Sequence, residues 1–118
     1  MPSFNLNQKT FVLVQNSEKG QVDFETLFEY KQLNSRVSAI YSGGSISYGT
    51  IIGHLKGAEL KVLYQCMTNT QQLKAGKATA LVSTTTTGKL KLSLNWKWLH
   101  GGKEKGTSEY IEIDKHAQ

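Results

Sequence analysis

The chain has very few of the residues that interrupt strands or cross-link small domains. Its 118 residues include one proline, Pro2, and one cysteine, Cys66. A lone cysteine cannot form an internal disulfide, so the fold has to rest on its own apolar core. The proline lies at the start of the chain, so the later segments keep every backbone N–H group that a sheet needs.

Long apolar runs are also missing. No run approaches the ~20 residues that a membrane-spanning helix needs, and the first residues lack the basic and then apolar regions of a signal peptide. We therefore expect a cytoplasmic protein without a membrane partner. Hydrophobic residues make up 38% of the chain and charged residues 19%. This composition suits one globular domain over residues 1–118, with an ordered core at about 9–114.

Acidic residues are absent from a long part of the second half. No Asp or Glu lies between Leu60 and Lys103, and residues 60–118 hold nine lysines against four acids. This excess equals the whole formal net charge of +5, because residues 1–59 hold five basic and five acidic side chains. One interpretation is a solvated lysine face that keeps strand edges from pairing, and the other is a polyanion-binding surface. Arg36 is the only arginine, and base-specific contacts favour arginine, so a nucleic-acid partner is the less favoured interpretation.

The clearest pattern in the chain is the segment Lys89–Leu99. Its apolar residues fall at every second position, while lysine, serine and asparagine take the alternate positions. A β-strand sends successive side chains to opposite faces, so this segment is predicted to be a strand with one buried and one solvated face. A helix would scatter the apolar groups around its circumference. The apolar positions are Leu90, Leu92, Leu94, Trp96 and Trp98.

Glycine and polar clusters divide the whole chain into eight such runs, with no helical pattern between them. Short connections, such as a hairpin turn at 16–20, predict that successive strands pair antiparallel. Eight strands in simple succession close into an up-and-down barrel, and we prefer this fold to a two-sheet sandwich. A membrane barrel is not expected, because lysines and acids lie opposite the aromatic face. The runs are Thr10–Gln15, Val22–Lys31, Val37–Tyr41, Ile46–Leu55, Leu60–Cys66, Leu73–Thr84, Lys89–Leu99 and Thr107–Asp114.

Two of the runs do not alternate cleanly. Residues 10–15 are apolar on both parities, so we expect this strand to be covered on both sides or to contain a bulge. In the fourth run, Ile46 shares a parity with Ile52, whereas Ile51 shares the other with Leu55. The register of this strand is therefore open.

The inward face of the predicted barrel is rich in aromatic residues. An eight-stranded barrel is either filled by its own side chains or holds one small ligand, and the sequence leaves both interpretations open. The small residues Gly76, Ala78 and Ala80 share one parity of the sixth run and would leave room inside. Taking the even positions of the second, fifth and seventh runs as inward gives Phe24, Phe28, Tyr30, Leu60, Val62, Tyr64, Leu90, Leu92, Leu94, Trp96 and Trp98.

A set of short motifs resembles a known family. The motifs are Phe28-x-Tyr30-x-Gln32, Ala39-x-Tyr41-Ser-Gly-Gly44, Gly49-x-x-x-Gly53, Tyr64 and Trp96-x-Trp98. Together they resemble small bacterial barrels of avidin-like, calycin type, over about residues 9–113. The resemblance implies an all-β, eight-stranded antiparallel meander barrel, avidin- or lipocalin-like, whose lumen binds a small molecule.

Members of that family are often labelled N-acetylglutamate synthase, and the residues here do not support such an activity. Acetyl transfer from acetyl-CoA usually relies on a pyrophosphate cradle at a helix N-terminus. The chain contains no glycine-rich strand-to-helix motif of that kind. We therefore do not expect an acetyltransferase.

The favoured hypothesis is a barrel that binds a small, partly apolar ligand in its lumen. Aromatic rings would supply stacking area, and tyrosine hydroxyls would supply the few polar contacts that orient a ligand. Self-association into a homo-oligomer is a further partnership that the sequence leaves open. The candidate lumen residues are Phe28, Tyr30, Tyr41, Tyr64, Trp96, Trp98 and Glu112.

Two other functions remain as alternatives. The first is a small barrel enzyme in which Glu112 acts with a tyrosine. The pKa of Glu112 would be raised if its carboxyl group faced inward, although a position on the outer face of the barrel is favoured. The second is polyanion binding through an outer lysine stripe. The stripe consists of Lys89, Lys91 and Lys97, with Lys61, Lys74 and Lys77 nearby.

No cofactor or metal ion is expected. His54, His100 and His116 show no metal-ligand spacing to one another or to Cys66. Cys66 shares the apolar parity of the fifth run, so we interpret it as a small core residue rather than a nucleophile.

Overall fold

The chain folds as an all-β barrel. The computed structural model describes residues 4–16 and 24–113, and within this part of the chain every regular element is a strand. No helix in the described residues is long and apolar enough to cross a membrane. The strands are β1 (Lys9–Asn16), β2 (Leu27–Leu33), β3 (Arg36–Gly43), β4 (Ile46–Lys56), β5 (Glu59–Thr68), β6 (Leu73–Thr84), β7 (Leu90–His100) and β8 (Lys105–Ile113).

Each strand pairs antiparallel with its neighbours in sequence, and β1 also pairs with β8 to close the barrel. The predicted eight-stranded antiparallel meander is therefore confirmed. Closure leaves no free sheet edge among these strands, which removes the usual template for edge-to-edge aggregation. The predicted hairpin turn at 16–20 lies largely outside the described residues.

The alternation in β5 and β7 directs the apolar side chains at even positions inward, whereas Leu63, Met67 and Leu99 are exposed. Leu60, Leu92 and Trp96 are buried, and the lysines between such positions face outward. The prediction that Phe24 faces the lumen is wrong, because its side chain is 69% exposed. It lies in a turn before β2 begins at Leu27, so the period-two pattern does not extend to it.

Bulges explain the two runs that did not alternate. The pairing of β4 with β5 shifts between Ile46 and Tyr48, and this shift resets the parity. As a result Ile46 and Ile51 both point into the core, although they lie on opposite parities. In β1 the register with β8 shifts between Leu13 and Gln15. The expected bulge in β1 is thus present.

A short N-terminal segment fills one end of the barrel. Leu6 is fully buried and belongs to the apolar core. Its backbone N–H donates to Oε1 of Gln32 at 2.9 Å, and the N–H of Gln8 donates to the carbonyl of Tyr30 at 3.0 Å. These bonds tie the segment to β2, so the remaining space in the lumen lies toward the opposite end.

Candidate functional site

The interior of the barrel contains a cavity with an aromatic wall. Its volume is about 50 Å³, which is room for a few water molecules and far below the roughly 300 Å³ at the lower limit of pockets for drug-sized ligands. Side chains therefore occupy most of the lumen. The cavity is lined by Phe28, Tyr30, Tyr41, Ile46, Ile51, Leu60, Val62, Tyr64, Cys66, Ala80, Leu94, Trp96, Trp98, Ser108 and Tyr110.

Six of the seven aromatic rings of the wall pack in two groups, and the seventh, Tyr30, meets the ring of Phe11 edge to face at 5.3 Å. In the first, Phe28 stacks on Tyr41 with ring centroids 4.7 Å apart, and its ring meets that of Tyr110 edge to face at 4.9 Å. In the second, Trp98 contacts Tyr64 at 5.6 Å and Trp96 at 5.9 Å. Such geometries stabilise aromatic pairs beyond the area they bury. The six aromatic residues predicted for the site all line this cavity.

Small residues in β4 and β6 make room for these rings. Gly49 faces Tyr41 across the strand pair, and a Cβ there would lie within 2.5 Å of the Tyr41 ring. Gly76 lies between Tyr64 and Trp98 in the same way. Gly76 thus leaves room inside the barrel as its parity predicted, and a neighbouring ring occupies that room.

Hydrogen bonds satisfy most of the polar atoms in the wall. The hydroxyl of Tyr41 donates to the carbonyl of Gln65 at 3.1 Å. The indole N–H of Trp96 donates to Oγ of Ser108 at 2.8 Å. The Tyr64 hydroxyl reaches the carbonyl of Lys97 at 3.5 Å, near the outer limit for a hydrogen bond.

The indole N–H of Trp98 is the exception. Trp98 is 6% exposed, and its Nε1 is buried without a hydrogen-bond partner among the described residues. A buried donor without an acceptor costs about 1–3 kcal/mol. The ring face carries the ammonium group of Lys74, 4.8 Å from the centroid. Trp98, which lines the cavity, therefore carries one buried and unused donor and lies beside a cation.

Burial suppresses ionisation throughout the cavity. Desolvation raises the pKa of Tyr30, Tyr41 and Tyr64 above the ordinary value of 10.0, and it raises the pKa of Tyr110 to about 12. Desolvation also raises the pKa of the Cys66 thiol, although its hydrogen bond with Tyr41 and the charge of Lys74 act in the opposite direction. At neutral pH the cavity wall is thus uncharged, and Cys66 is a thiol.

Glu112 lies away from the cavity, near the opposite end of the barrel. Its carboxylate accepts hydrogen bonds from the Leu90 N–H at 2.9 Å and from Nζ of Lys9 at 3.1 Å. Partial burial alone would raise the pKa of Glu112. The two hydrogen bonds and the charges of Lys9 and Lys89 outweigh burial and lower it. Glu112 shares the parity of the buried Ser108 and Tyr110, so the favoured outer-face position is wrong. The raised pKa expected for an inward Glu112 is not found either.

Sequence reasoning missed several residues of the wall. Ile46 and Ile51 reach the cavity together only because of the β4 bulge, which has no clear sequence signal. Ser108 holds the Trp96 indole, and its alternation with Tyr110 in the last run was the signal that could have identified it. Among the described residues, no group of three His, Cys, Asp or Glu side chains could hold a metal ion.

The fold and the cavity together define a class. This is a closed eight-stranded antiparallel barrel whose interior is an aromatic cavity with few polar groups. The sequence model of a family described as "Avidin-like protein" matches residues 4–113. The chain therefore belongs to the avidin-like family. No match was found among curated proteins or among solved structures.

Proposed function

We propose that the protein binds one small, flat, largely apolar molecule in the lumen, and that this molecule carries a hydrogen-bond acceptor for Trp98. Membership of the avidin-like family supports a ligand-binding barrel in general. The observation that carries the specific proposal is the indole N–H of Trp98, a cavity-lining residue, because this buried donor has no acceptor among the described residues. An acceptor on the ligand would remove the free-energy cost of that donor, and the aromatic wall would stack on its plane.

The size of the cavity constrains how a ligand enters. About 50 Å³ is too little for a molecule with a ring, so one wall residue has to move. Tyr64 is the best candidate because it is only partly buried and its hydroxyl contact with Lys97 is long, at 3.5 Å. By contrast, Tyr41 is 4% exposed and bonded at 3.1 Å. Outward rotation of Tyr64 would expose the Trp98 ring that it now contacts.

Native mass spectrometry of the protein isolated from its own host tests the proposal. The expected result is a stoichiometric small molecule that is released on mild denaturation. The same purification from a Trp98→Phe variant should recover little or none, since phenylalanine keeps a ring but has no N–H donor. Trp96→Phe is the matched control, because the Trp96 donor is already used by Ser108. A clean apo mass for the wild-type protein, or equal retention by both variants, would contradict the proposal.

The outer wall supports self-association as a second property. Tyr48, Met67 and Leu73 lie opposite one another on β4, β5 and β6, and they are 54%, 37% and 65% exposed. A second copy of the chain covering this patch would remove their apolar surface from water. Sedimentation analysis should show a dimer or larger assembly that Met67→Lys dissociates. Leu33→Lys, at an exposed position at the end of β2, should leave the assembly intact.

A further inference from the structure

The outer wall carries two parallel rows of side chains that run across six strands. In each row the residues lie directly opposite one another in successive strand pairs. The first row consists of Arg36, His54, Lys61, Thr79, Asn95 and Thr107. The second row, two residues further along each strand, consists of Ser38, Ile52, Leu63, Lys77, Lys97 and Lys105. Most of these residues line one surface groove of about 810 Å³, called here the outer groove.

The outer groove is strongly cationic. Its lining includes Arg36, Lys61, Lys77, Lys97 and Lys105 and contains no acidic residue. The ion pair of Lys61 with Glu59, at 3.9 Å, joins two side chains that are both more than half exposed. Exposed pairs of this kind contribute little and leave the positive charge of the groove largely uncompensated.

Three lysines in the second row lie side by side. Lys77 is directly opposite Lys97, and Lys97 is directly opposite Lys105. Like charges in opposed cross-strand positions destabilise a sheet. No ion pair joins these three side chains to a carboxylate in the described residues. Three adjacent lysines that destabilise the free protein are expected where a bound anion balances their positive charge.

The set of cations that line the outer groove differs from the lysine stripe expected from the sequence. Lys61, Lys77 and Lys97 do lie together. Lys91 instead pairs with Glu109 at 3.4 Å, and Lys74 lies over the ring of Trp98. The lining of the groove includes none of Lys74, Lys89 and Lys91.

We infer that the outer groove binds the sugar–phosphate backbone of single-stranded nucleic acid without reading its sequence. Neighbouring strands lie roughly 4.8 Å apart, so the backbone positions of Lys77 and Lys105 are about 10 Å apart, a span that reaches successive phosphates. Thr79 and Asn95, in the adjacent row, add neutral hydrogen-bonding groups of the kind that contact phosphate and sugar.

The chemistry of the groove favours backbone contacts over base contacts. Lysine acts as a point charge toward phosphate, and four of the five cations are lysines. Neither row contains a phenylalanine, tyrosine or tryptophan, so His54 is the one aromatic ring in the rows on which a base could stack. A flexible single strand can follow the curved wall of the barrel, so a rigid duplex is expected to bind more weakly.

Fluorescence anisotropy with a labelled oligothymidylate tests the inference. With five cations and about 0.7 counterions released per contact, the slope of log K against log salt should be about −3.5. Affinity should then fall about 100-fold between about 50 and 200 mM salt. A Lys77→Gln, Lys97→Gln, Lys105→Gln triple variant keeps two cations, and its slope should fall to about −1.4. The matched control changes the exposed lysines Lys31, Lys56 and Lys103 to glutamine and alters the net charge equally.

Each outcome of these salt titrations either supports or overturns the inference that the outer groove binds nucleic acid. A slope reduced to about −1.4 in the groove variant, with an unchanged slope in the control, supports the inference. Equal weakening in both variants would mean that the net charge attracts the oligonucleotide without a site, and absence of binding at low salt would also overturn the inference. Direct binding of labelled inorganic polyphosphate, while the oligonucleotide fails to bind, would exclude nucleic acid as the partner. No residue is changed in both the lumen experiment and the groove experiment. Failure of one proposal therefore leaves the other unaffected.

Discussion

Gly76 lies directly opposite Tyr64, and the ring of Tyr64 occupies the space that a side chain at Gly76 would need. A Cβ built on Gly76 would lie 2.5 Å from Cζ of Tyr64 and 2.6 Å from the backbone carbonyl oxygen of Lys97. The carbonyl belongs to a paired strand and cannot rotate away. The glycine is therefore a packing requirement of the aromatic wall.

The Gly76→Ala variant should be less stable than the wild-type protein. The added methyl group forces the Tyr64 ring or the β7 backbone to shift, and overpacking of this kind costs about 1–3 kcal/mol. Urea unfolding followed by tryptophan fluorescence would measure the loss. Lys77→Ala changes the next residue, which faces solvent, and should stay within about 0.5 kcal/mol of the wild type. Equal stability of the Gly76→Ala and wild-type proteins would contradict the packing role.

The fold was predictable because strand alternation is strong where one face is buried. In β7 the apolar and polar residues separate cleanly, and the short connections leave little choice but sequential pairing. Alternation fails at bulges, since one extra residue reverses the parity of everything beyond it. This is why Ile46 and Ile51 could not be assigned to the same face from the sequence.

The residue types that line the candidate site were predictable, but how far side chains fill the lumen was not. The six aromatic positions reach the cavity because each lies on an inward parity. Whether Gly76 leaves empty space or receives a neighbouring ring depends on the registers of two strand pairs, which no local pattern specifies. The position of Glu112 depends in the same way on Lys9, 103 residues away in sequence.

The two tryptophans of β7 provide a paired test of the unused donor. Both Trp96→Phe and Trp98→Phe remove a similar volume from the buried wall. Only Trp96→Phe breaks a hydrogen bond, the 2.8 Å contact with Ser108. Trp96→Phe should therefore be more destabilising in the ligand-free protein, by about 1 kcal/mol in denaturant unfolding. The reverse order would mean that the Trp98 indole has an acceptor after all.

The pH dependence of stability should report the ion pair between Glu112 and Lys9. A carboxylate with a lowered pKa in the folded state stabilises that state above its ordinary pKa of 4.5, and the stabilisation is lost as the pH falls through the folded value. The unfolding free energy of the wild type should thus drop below about pH 4.5 more steeply than that of Glu112→Gln. Glu109→Gln removes a half-buried pair with Lys91 and is the matched control. Parallel curves for the wild type and Glu112→Gln would exclude the effect.

At alkaline pH the buried tyrosines should control stability. The pKa values of Tyr30, Tyr41, Tyr64 and Tyr110 are raised in the folded state, chiefly by desolvation, whereas tyrosines in the unfolded chain titrate near 10. Above about pH 10 the unfolded chain therefore binds fewer protons than the folded chain, and the unfolding free energy decreases as the pH rises.

Each such tyrosine adds up to about 1.4 kcal/mol per pH unit to this decrease. Tyr30→Phe should make the decline shallower by that amount, while Tyr48→Phe, at a position 54% exposed, should leave it unchanged. The measurement is urea unfolding at a series of pH values, combined with absorbance of ionised tyrosine. Ionisation of all the tyrosines well before the barrel unfolds would mean that the cavity is open to water, and it would contradict the closed, desolvated wall.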